Sequence, residues 1–334
     1  MQQTSISSSV DFDLDGVQHG FLKLPHSHDK SAWGCIMIPI TVFKNGEGPT
    51  VLLTGGNHGD EYEGITSLLK LANRLQLGHI QGRVIIVPMM NYPAVVHGSR
   101  TSPIDSGNLN RAFPGSPTGS ITAQIADYFQ RYLIPLCDYA LDIHSGGKTL
   151  DFIPFAAVHR LTDKTQEAAC LLGAKCFGAP NTLLMLDLQA HALYDTAVES
   201  QGKVFVSTEL GGGGTSTPQT IAIADRGIDN FLIFSTVLKG QLHEPSVDTR
   251  LLEMPDMSCY LQSEHSGVLE YCVSLGDNVK HGDLIARIYS LERTGCEPHQ
   301  YLATRDGVMA ARHFPGIIAI GDTLAVFAVE IADN

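Results

Sequence analysis

The chain has 334 residues, of which 43% are hydrophobic and 17% are charged, a composition typical of globular proteins and not of disordered or fibrous ones. Its net charge of −13 argues against nucleic acid as a partner, although a local pair of arginines could still bind an anionic substrate. No apolar run approaches the roughly 18 residues of a membrane span, no signal peptide is recognisable, and the seven cysteines form no C-x-x-C pair, so we expect a cytoplasmic protein with reduced thiols.

The first two thirds of the chain alternate predicted strands with predicted helices. Residues 1–20 are polar and predict no element, whereas alternating apolar residues over 33–43 indicate a half-buried strand. Further strands are predicted over 51–54, 83–90, 139–143 and 203–208, and helices over 63–75, 121–134, 163–173 and 218–238. The segment 91–117 is rich in Asn, Pro, Gly and Ser, and a loop of this length is usually functional or disordered. This order predicts an α/β protein whose central sheet is mixed but mostly parallel, with helices on both faces.

Reactive side chains follow three of the predicted strands. His58 and Glu61 lie in a glycine-rich turn between a strand and a helix, and His144 and Glu209 each follow a later strand. In open α/β sheets, ligands bind at the edge formed by the carboxyl ends of the strands. Two histidines and one glutamate can bind zinc and leave a fourth position for water. For the H-x-x-E pair taken alone, a histidine and a glutamate solvated on a loop remain the alternative.

Four further features leave more than one interpretation open. Asp142 lies two residues before His144 and could orient a ligand histidine, or it could be an ordinary carboxylate at a strand end. His97 and His191 could contact substrate, or they could be hydrogen-bonded residues of a loop or helix. The glycines 211–214 are not followed by the Lys-Ser/Thr pair of a phosphate-binding loop, so we interpret them as room for backbone beside the site.

From about residue 250 the helical patterns stop, and short segments separated by Gly-Asp turns predict a small all-β domain. Two similar sets of glycines repeat within it: Gly267, Gly276 and Gly282, then Gly307, Gly316 and Gly321. The repeat suggests two related β-hairpin units and resembles the barrel-sandwich fold of lipoyl and biotin carrier domains. Such carriers present a modified lysine on a hairpin, but residues 290–296 contain no lysine. We therefore expect this domain to be a lid or wall of the active site.

Four motifs between residues 51 and 214 form a specific combination. They are G-G-x-H-G-D-E at His58, N-L-N-R-x-F-P-G at Arg111, D-I-H-S-G-G at His144 and T-E-L-G-G-G at Glu209. Together with the C-terminal β segment, they resemble the succinylglutamate desuccinylase/aspartoacylase family, a branch of the zinc-carboxypeptidase superfamily. The resemblance implies a zinc-hydrolase catalytic domain over residues 1–248 and a C-terminal β domain over residues 249–334.

The resemblance also implies a metal site and a catalytic base. His58, Glu61 and His144 would hold one zinc ion per chain, and Glu209 would act as general base and then as general acid. The residue types agree with this chemistry, because zinc lowers the pKa of bound water to about 7 and polarises a carbonyl group. A carboxylate within hydrogen-bond reach can take the proton of the water and later give it to the leaving amine.

Three residues of the long loop would contact the substrate in such an enzyme. Asn110 and Arg111 would bind the carboxylate of an N-acylated amino acid, since the planar fork of an arginine matches a carboxylate. Arg100 would stabilise the oxyanion that forms from the amide carbonyl. The interval between Arg100 and Asn110 is longer than is usual in the family.

Within the family, the sequence is most similar to the N-α-acetyl-L-2,4-diaminobutyrate deacetylases of ectoine breakdown, through residues 36–43 and 95–100. We therefore predict a zinc-dependent amidohydrolase that removes an acyl group, expected to be acetyl, from a small N-acyl amino acid. A desuccinylase or aspartoacylase-type enzyme is one alternative, and a carboxypeptidase acting on peptides is another. A non-catalytic carboxylate-binding protein belongs to a different class, and it would not need Glu209. The sequence leaves the oligomeric state open, a homo-oligomer included.

Overall fold

The computed structural model describes residues 3–185, 192–244 and 249–332. Its strands are, in chain order, β1 (Ser7–Ser8), β2 (Gly16–Pro25), β3 (Cys35–Asn45), β4 (Thr50–Gly55), β5 (Gly82–Val87), β6 (Tyr139–His144), β7 (Leu150–Phe152), β8 (Phe155–His159), β9 (Asn181–Met185), β10 (Val204–Glu209), β11 (Arg250–Met254), β12 (Tyr260–Gln262), β13 (Gly267–Tyr271), β14 (Asn278–Val279), β15 (Leu284–Tyr289), β16 (His299–Leu302), β17 (Gly307–His313), β18 (Ile317–Ile318) and β19 (Thr323–Glu330). Its α-helices are α1 (Tyr62–Arg74), α2 (Tyr92–His97), α3 (Ile121–Tyr128), α4 (Ile134–Leu136), α5 (Lys164–Phe177), α6 (Tyr194–Glu199) and α7 (Pro218–Phe234). Short 3-10 turns span Leu77–His79, Leu109–Arg111 and Met257–Cys259, and a π-helical turn spans Phe129–Leu133.

A large mixed sheet forms the centre of the molecule. Among the described residues, fifteen strands belong to it, in the order β1-β2-β3-β5-β4-β6-β10-β8-β9-β11-β19-β17-β14, with β12 beside β19 and β7 beside β17. The strands β5, β4, β6 and β10 are parallel to one another. The strands β3 and β8 flank this group and are antiparallel to β5 and β10. The predicted mixed α/β architecture is therefore confirmed, with a parallel part at the centre. The expectation of a mostly parallel sheet is wrong, because the N-terminal strands and most pairs of the C-terminal strands are antiparallel.

Helices cover both faces of this centre because its strands are apolar on both sides. Successive side chains of a strand point to opposite faces, and all six residues of β4 are buried. Leu52 belongs to a buried cluster with Ile125 of α3 and Val198 of α6, whereas Val51 and Leu53 belong to a second cluster with residues of α1, α5 and α7. No helix of the described ranges is both long and apolar enough to cross a membrane.

Several predicted boundaries differ from the structure. Residues 1–20 predicted no element, yet β2 begins within them and pairs with β3 along its whole length. The first half of β2 is held by backbone pairing and carries little apolar alternation, so its side chains gave no signal. The helix predicted over 218–238 ends earlier, at Phe234. The segment predicted as a helix over 121–134 is helical to Leu136, but a π-helical turn at Phe129–Leu133 interrupts its α-helical part. The loop predicted over 91–117 contains α2 and a 3-10 turn.

The C-terminal part both extends the large sheet and builds a second one. Strand β11 is parallel to β9, and β19 is antiparallel to β11. A second sheet has the order β16-β15-β13-β18. Ile285 and Ile288 of this sheet share a buried cluster with Leu324 and Phe327 of β19, so the two sheets pack together. The predicted domain boundary at residue 248 lies outside the described residues.

Candidate active site

The candidate site lies at the carboxyl edge of the parallel strands. His144 is the last residue of β6 and Glu209 is the last residue of β10, and the two are paired neighbours in the sheet. His58 lies in the turn that follows β4, and Glu61 is the N-cap residue of α1. This turn packs tightly, since a Cβ atom on Gly59 would lie 2.0 Å from the carbonyl carbon of Ala94. The parallel order of the strands thus brings residues that are far apart in sequence to one edge.

Glu61 lies between the two histidines. Its Oε1 is 2.7 Å from Nδ1 of His58, and its Oε2 is 2.8 Å from Nδ1 of His144. All three residues are buried, and each offers a ligand atom within 4.8 Å of the other two. Two imidazole nitrogens and one carboxylate are the donor set of catalytic zinc sites that keep an open position. These side chains therefore fit a zinc ion.

The other ring nitrogen of each histidine is also engaged. Nε2 of His144 lies 2.7 Å from Oδ2 of Asp142, and Nε2 of His58 lies 3.2 Å from Oδ1 of Asn108. Metal-binding histidines commonly donate this second N–H to a carboxylate or carbonyl oxygen, which fixes the ring and its tautomer. Of the two interpretations of Asp142, the contact favours the one in which it orients His144. Asn108 was overlooked in the sequence, although it begins the N-L-N-R motif.

Asp142 is itself held in place by hydrogen bonds. Its Oδ1 accepts a hydrogen bond of 2.7 Å from the Thr54 hydroxyl group, and its Oδ2 accepts one of 3.0 Å from the Asn57 side-chain amide. A buried carboxylate with this many donors stays ionised, and the pKa of Asp142 is lowered in spite of its burial, chiefly by His144. The ring of His144 is therefore held by a fixed negative charge.

Opposing influences set the charges of the three candidate ligands. Burial alone would raise the pKa of Glu61, but His58 and His144 hold it far below its usual value. Burial alone would lower the pKa of His144, but Asp142 and Glu61 raise it well above its usual value. Burial lowers the pKa of His58. The protein groups alone thus favour an ionised Glu61 and a protonated His144.

Glu209 faces the same cavity and differs from these carboxylates. Its Oε2 is buried and has no hydrogen-bond partner among the described residues. Burial, and then the negative charge of Glu61, raise the pKa of Glu209 to about 8. A bound cation would lower this pKa again, because a positive charge favours the carboxylate form. Glu209 is therefore suited to accept and return a proton beside the metal-binding group.

Arg100 reaches the metal-binding group from the long loop. Its Nη1 is 3.3 Å from Nδ1 of His58 and 3.5 Å from Oε1 of Glu61. The side chain is about half exposed, with a relative accessibility of 48%, so the guanidinium group borders both the candidate metal site and the solvent. A donor in this position can reach an oxygen atom that approaches the three ligands.

Asn110 and Arg111 lie farther along the same loop and line the same cavity. Oδ1 of Asn110 accepts a hydrogen bond of 3.3 Å from the backbone N–H of Tyr194, at the start of α6. The backbone N–H of Phe113 donates to the carbonyl oxygen of Ala192 at 3.1 Å. The predicted loop is therefore held against the beginning of α6.

The cavity that joins these residues has a volume of about 440 Å³, which is in the range of small-molecule sites. It is lined by Glu209 and Phe205 of β10 and also by His159 and Asp195. Met254 and Tyr260 of the C-terminal part form a wall of the cavity. The sequence analysis expected this part of the chain to be a lid or wall.

Some sequence-derived candidates lie elsewhere. His97 is exposed, its Nδ1 is 3.0 Å from the Ser99 hydroxyl group, and it does not line the cavity. His191 lies outside the described residues. The glycine run agrees with a close approach of backbone, because a Cβ atom on Gly212 would lie 1.9 Å from the carbonyl oxygen of Leu150.

His159 and Asp195 were both overlooked in the sequence. His159 ends the short apolar run of β8 and lies on the same face as Phe155 and Ala157, and its position at the end of such a run is the signal that could have directed attention to it. No motif surrounds Asp195.

Comparison with known proteins agrees with this geometry. The family model of the succinylglutamate desuccinylase/aspartoacylase catalytic domain matches residues 47–235. The N-α-acetyl-L-2,4-diaminobutyric acid deacetylase of Halomonas elongata is 62% identical over 329 residues, which are 98% of this chain and 96% of that protein. The product-bound structure of the ectoine utilization protein EutE from Ruegeria pomeroyi is 55% identical, with a TM-score of 0.96 over 98% of this chain and 100% of that one.

A more distant solved structure extends the comparison. The succinylglutamate desuccinylase/aspartoacylase from Rhodobacter sphaeroides is 36% identical, with a TM-score of 0.94, and the match covers 99% of this chain and 100% of that one. The matches therefore span both the catalytic region and the C-terminal strands. The chain belongs to the succinylglutamate desuccinylase/aspartoacylase family.

Proposed function

We propose that this protein is a zinc-dependent deacetylase that hydrolyses N-α-acetyl-L-2,4-diaminobutyrate to acetate and L-2,4-diaminobutyrate in the breakdown of ectoine. One observation carries the proposal: the deacetylase of Halomonas elongata, named for this substrate, is 62% identical over 98% of this chain. The cavity agrees with it, because a His-Glu-His donor set, a further carboxylate and two arginines border one space of small-molecule size.

We assign one zinc ion per chain to His58, Glu61 and His144. When bound, zinc polarises an amide carbonyl and makes an attacking water more acidic. Asp142 and Asn108 hold the two imidazole rings so that both Nδ1 atoms face Glu61. The rings need little rearrangement to act as ligands, which favours tight binding of the ion.

Glu209 is the general base and acid in this proposal. Its carboxylate accepts a proton from the attacking water as the new C–O bond forms. It then donates the proton to the amide nitrogen as the C–N bond breaks, so that the amine leaves as a neutral group and not as an anion. The buried Oε2, which has no hydrogen-bond partner among the described residues, supports the role. Burial raises the pKa of Glu209 to about 8 without a metal, and a bound cation lowers it, so that the carboxylate can accept a proton.

Arg100, Asn110 and Arg111 bind the substrate in this proposal. Arg100 lies beside the ligand group and donates to the carbonyl oxygen as negative charge develops on it. Asn110 and Arg111 bind the α-carboxylate, and the guanidinium fork fixes its orientation. The carboxylate contact holds the acyl amide against Glu209, which places the scissile bond in reach of the base.

We also assign residues 1–248 to a catalytic domain and residues 249–334 to a C-terminal domain with a barrel-sandwich arrangement. The cluster shared by β15 and β19 supports two packed sheets. Met254 and Tyr260 border the cavity, so the C-terminal part limits the size of the substrate. A cytoplasmic location stays a prediction, and the oligomeric state stays open.

A hydrolysis screen tests the proposed function. Zinc-loaded protein is incubated with the α- and γ-acetyl isomers of L-2,4-diaminobutyrate, with N-acetylaspartate and with N-succinylglutamate, and the released amine is measured. We expect the α-acetyl isomer to give the highest kcat/KM. A preference for N-acetylaspartate or N-succinylglutamate would reassign the substrate within the family. Binding of these compounds without turnover of any would indicate a non-catalytic carboxylate-binding protein.

A further inference from the structure

The proposed substrate carries a second amine, at the end of its side chain, that none of the residues assigned above contacts. A primary alkylamine is protonated at neutral pH, and an ammonium group that enters a cavity needs a negative or polar partner, because burial of an unpaired charge is costly. We propose that Asp195 binds this side-chain ammonium group and so selects diaminobutyrate over amino acids with neutral or acidic side chains. The inference rests on the proposed function and deepens it.

Asp195 is a carboxylate at the border of the cavity to which no other role has been assigned. In the part of the chain that the structure describes, three acidic side chains line the cavity: Asp142, Asp195 and Glu209. Asp142 already accepts hydrogen bonds on both oxygens and holds His144. Glu209 exchanges a proton with the reacting groups in the proposed mechanism. Asp195 is the remaining negative group that can meet a cation of the substrate.

The Asp195 carboxylate has a fixed position in the first turn of α6. Its Oδ1 accepts a hydrogen bond of 2.6 Å from the backbone N–H of Thr196. Its Oδ2 lies 3.7 Å from Nε2 of His159, and the side chain is 17% exposed. His159 is held in turn by Glu199, one turn farther along α6, whose Oε2 lies 3.0 Å from Nδ1 of the ring. A carboxylate held in this way loses little conformational entropy when a cation binds to it.

Asp195 also lies beside the proposed carboxylate-binding residues. The backbone N–H of its neighbour Tyr194 donates to Oδ1 of Asn110 at 3.3 Å, and Arg111 follows Asn110 in the chain. The cavity wall therefore presents a positive and a negative group close together. In the substrate, the α-carboxylate and the side-chain ammonium group are separated only by the α-carbon and two methylene groups. The charges of the wall match the two charged ends of this molecule.

The test compares two substrates that differ in the ammonium group. N-α-acetyl-L-2,4-diaminobutyrate carries it, and N-acetyl-L-2-aminobutyrate has a hydrogen atom in its place. We expect the wild type to prefer the first, and Asp195→Asn to lose about tenfold or more in kcat/KM for the first, mostly through KM, because the contact is made in the ground state as well. The activity of the variant on the second substrate should stay close to that of the wild type.

A matched control excludes a general effect of removing a carboxylate. Asp229 is 20% exposed, pairs with Arg74 at 2.7 Å and does not line the cavity. Asp229→Asn should change neither substrate's kinetics. Thermal unfolding is measured for each variant, and if Asp195→Asn does not fold, Asp195→Ser takes its place. Asp195→Glu keeps the charge and should retain part of the preference for the ammonium substrate.

The possible outcomes separate the two proposals. An equal loss on both substrates, or an unchanged preference in a folded Asp195 variant, would overturn the role of Asp195 and leave the proposed function intact. If the wild type hydrolysed neither compound, or preferred N-acetyl-L-2-aminobutyrate, the substrate assignment would fail, and the ammonium site would fall with it.

Discussion

Oδ2 of Asp142 lies 2.7 Å from Nε2 of His144, while Glu61 contacts Nδ1 on the other side of the same ring. The imidazole is thus held between two carboxylates, one of which is a candidate ligand and the other an anchor. A carboxylate behind a ligand histidine raises the basicity of the ring and fixes its orientation.

Asp142→Asn should weaken zinc binding by about 10- to 100-fold, the usual effect of losing such an outer partner. His144→Ala, which removes a ligand, should abolish high-affinity binding. The measurement is competition for zinc with a chromogenic chelator, and Asp229→Asn is the control with a carboxylate removed elsewhere. Unchanged zinc affinity in Asp142→Asn would show that the contact does not support the metal site.

Zinc binding should release protons near neutral pH. His144 must be neutral to act as a ligand, yet Asp142 and Glu61 raise its pKa well above the usual value. Below that pKa, zinc must displace a proton, so the apparent affinity should increase as pH rises and level off above it. Glu209, with a pKa of about 8, should lose a proton as well when the cation binds.

Calorimetry in buffers with different ionisation enthalpies measures this proton release. Glu209→Gln should reduce the number of protons released at about pH 7 and leave the contribution of His144. An affinity independent of pH, with no proton release in any buffer, would contradict a protonated His144 in the metal-free protein.

Glu209→Gln should keep the fold and the metal but lose at least about 10²-fold in kcat, the lower range for general acid–base catalysis. The glutamine retains the size of the side chain but cannot accept the proton of the water. Metal content and turnover are measured on the same preparation. Glu253→Gln is the control, because Glu253 pairs with Arg160 outside the cavity and should have no effect. Turnover close to that of the wild type in Glu209→Gln would place the base elsewhere.

Arg111→Lys should reduce kcat/KM for N-α-acetyl-L-2,4-diaminobutyrate, since lysine keeps the charge but not the planar fork. The matched substrate is N-acetyl-1,3-diaminopropane, which lacks the carboxylate. It should be a poor substrate for the wild type, and the variant should lose little more on it. An equal loss on both would mean that Arg111 supports folding or the oxyanion, and the search for the carboxylate site would then move to Arg100.

The sequence predicted the parallel centre of the fold well, because its strands are short apolar runs followed by helices with a clear period. It predicted the edges less well. The first half of β2 is stabilised by backbone pairing with β3, and its side chains alternate little in polarity. The helix over 121–134 was predicted from apolar spacing, and that spacing does not distinguish an α-helix from the π-helical turn at Phe129–Leu133.

The residues of the candidate site also fall into two groups: those that the sequence predicted and those that it did not. His58, Glu61, His144 and Glu209 lie at the ends of predicted strands, so a local pattern was enough to group them. Asp195 meets the cavity through the packing of α6 on the long loop, and no local pattern encodes that contact. Residues that are joined only by tertiary packing need the structure.

The late position of strand β19 in the chain affects the order in which the site can form during synthesis. This strand pairs with β11, β12 and β17 and contributes Val326 to the cavity wall. During synthesis it leaves the ribosome after nearly all of the described chain, whereas the strands that carry His144 and Glu209 emerge much earlier and can pair first. A nascent chain would then hold its reactive groups in a site that is still open on one side. The proposed restriction to small substrates would be the last property to arise.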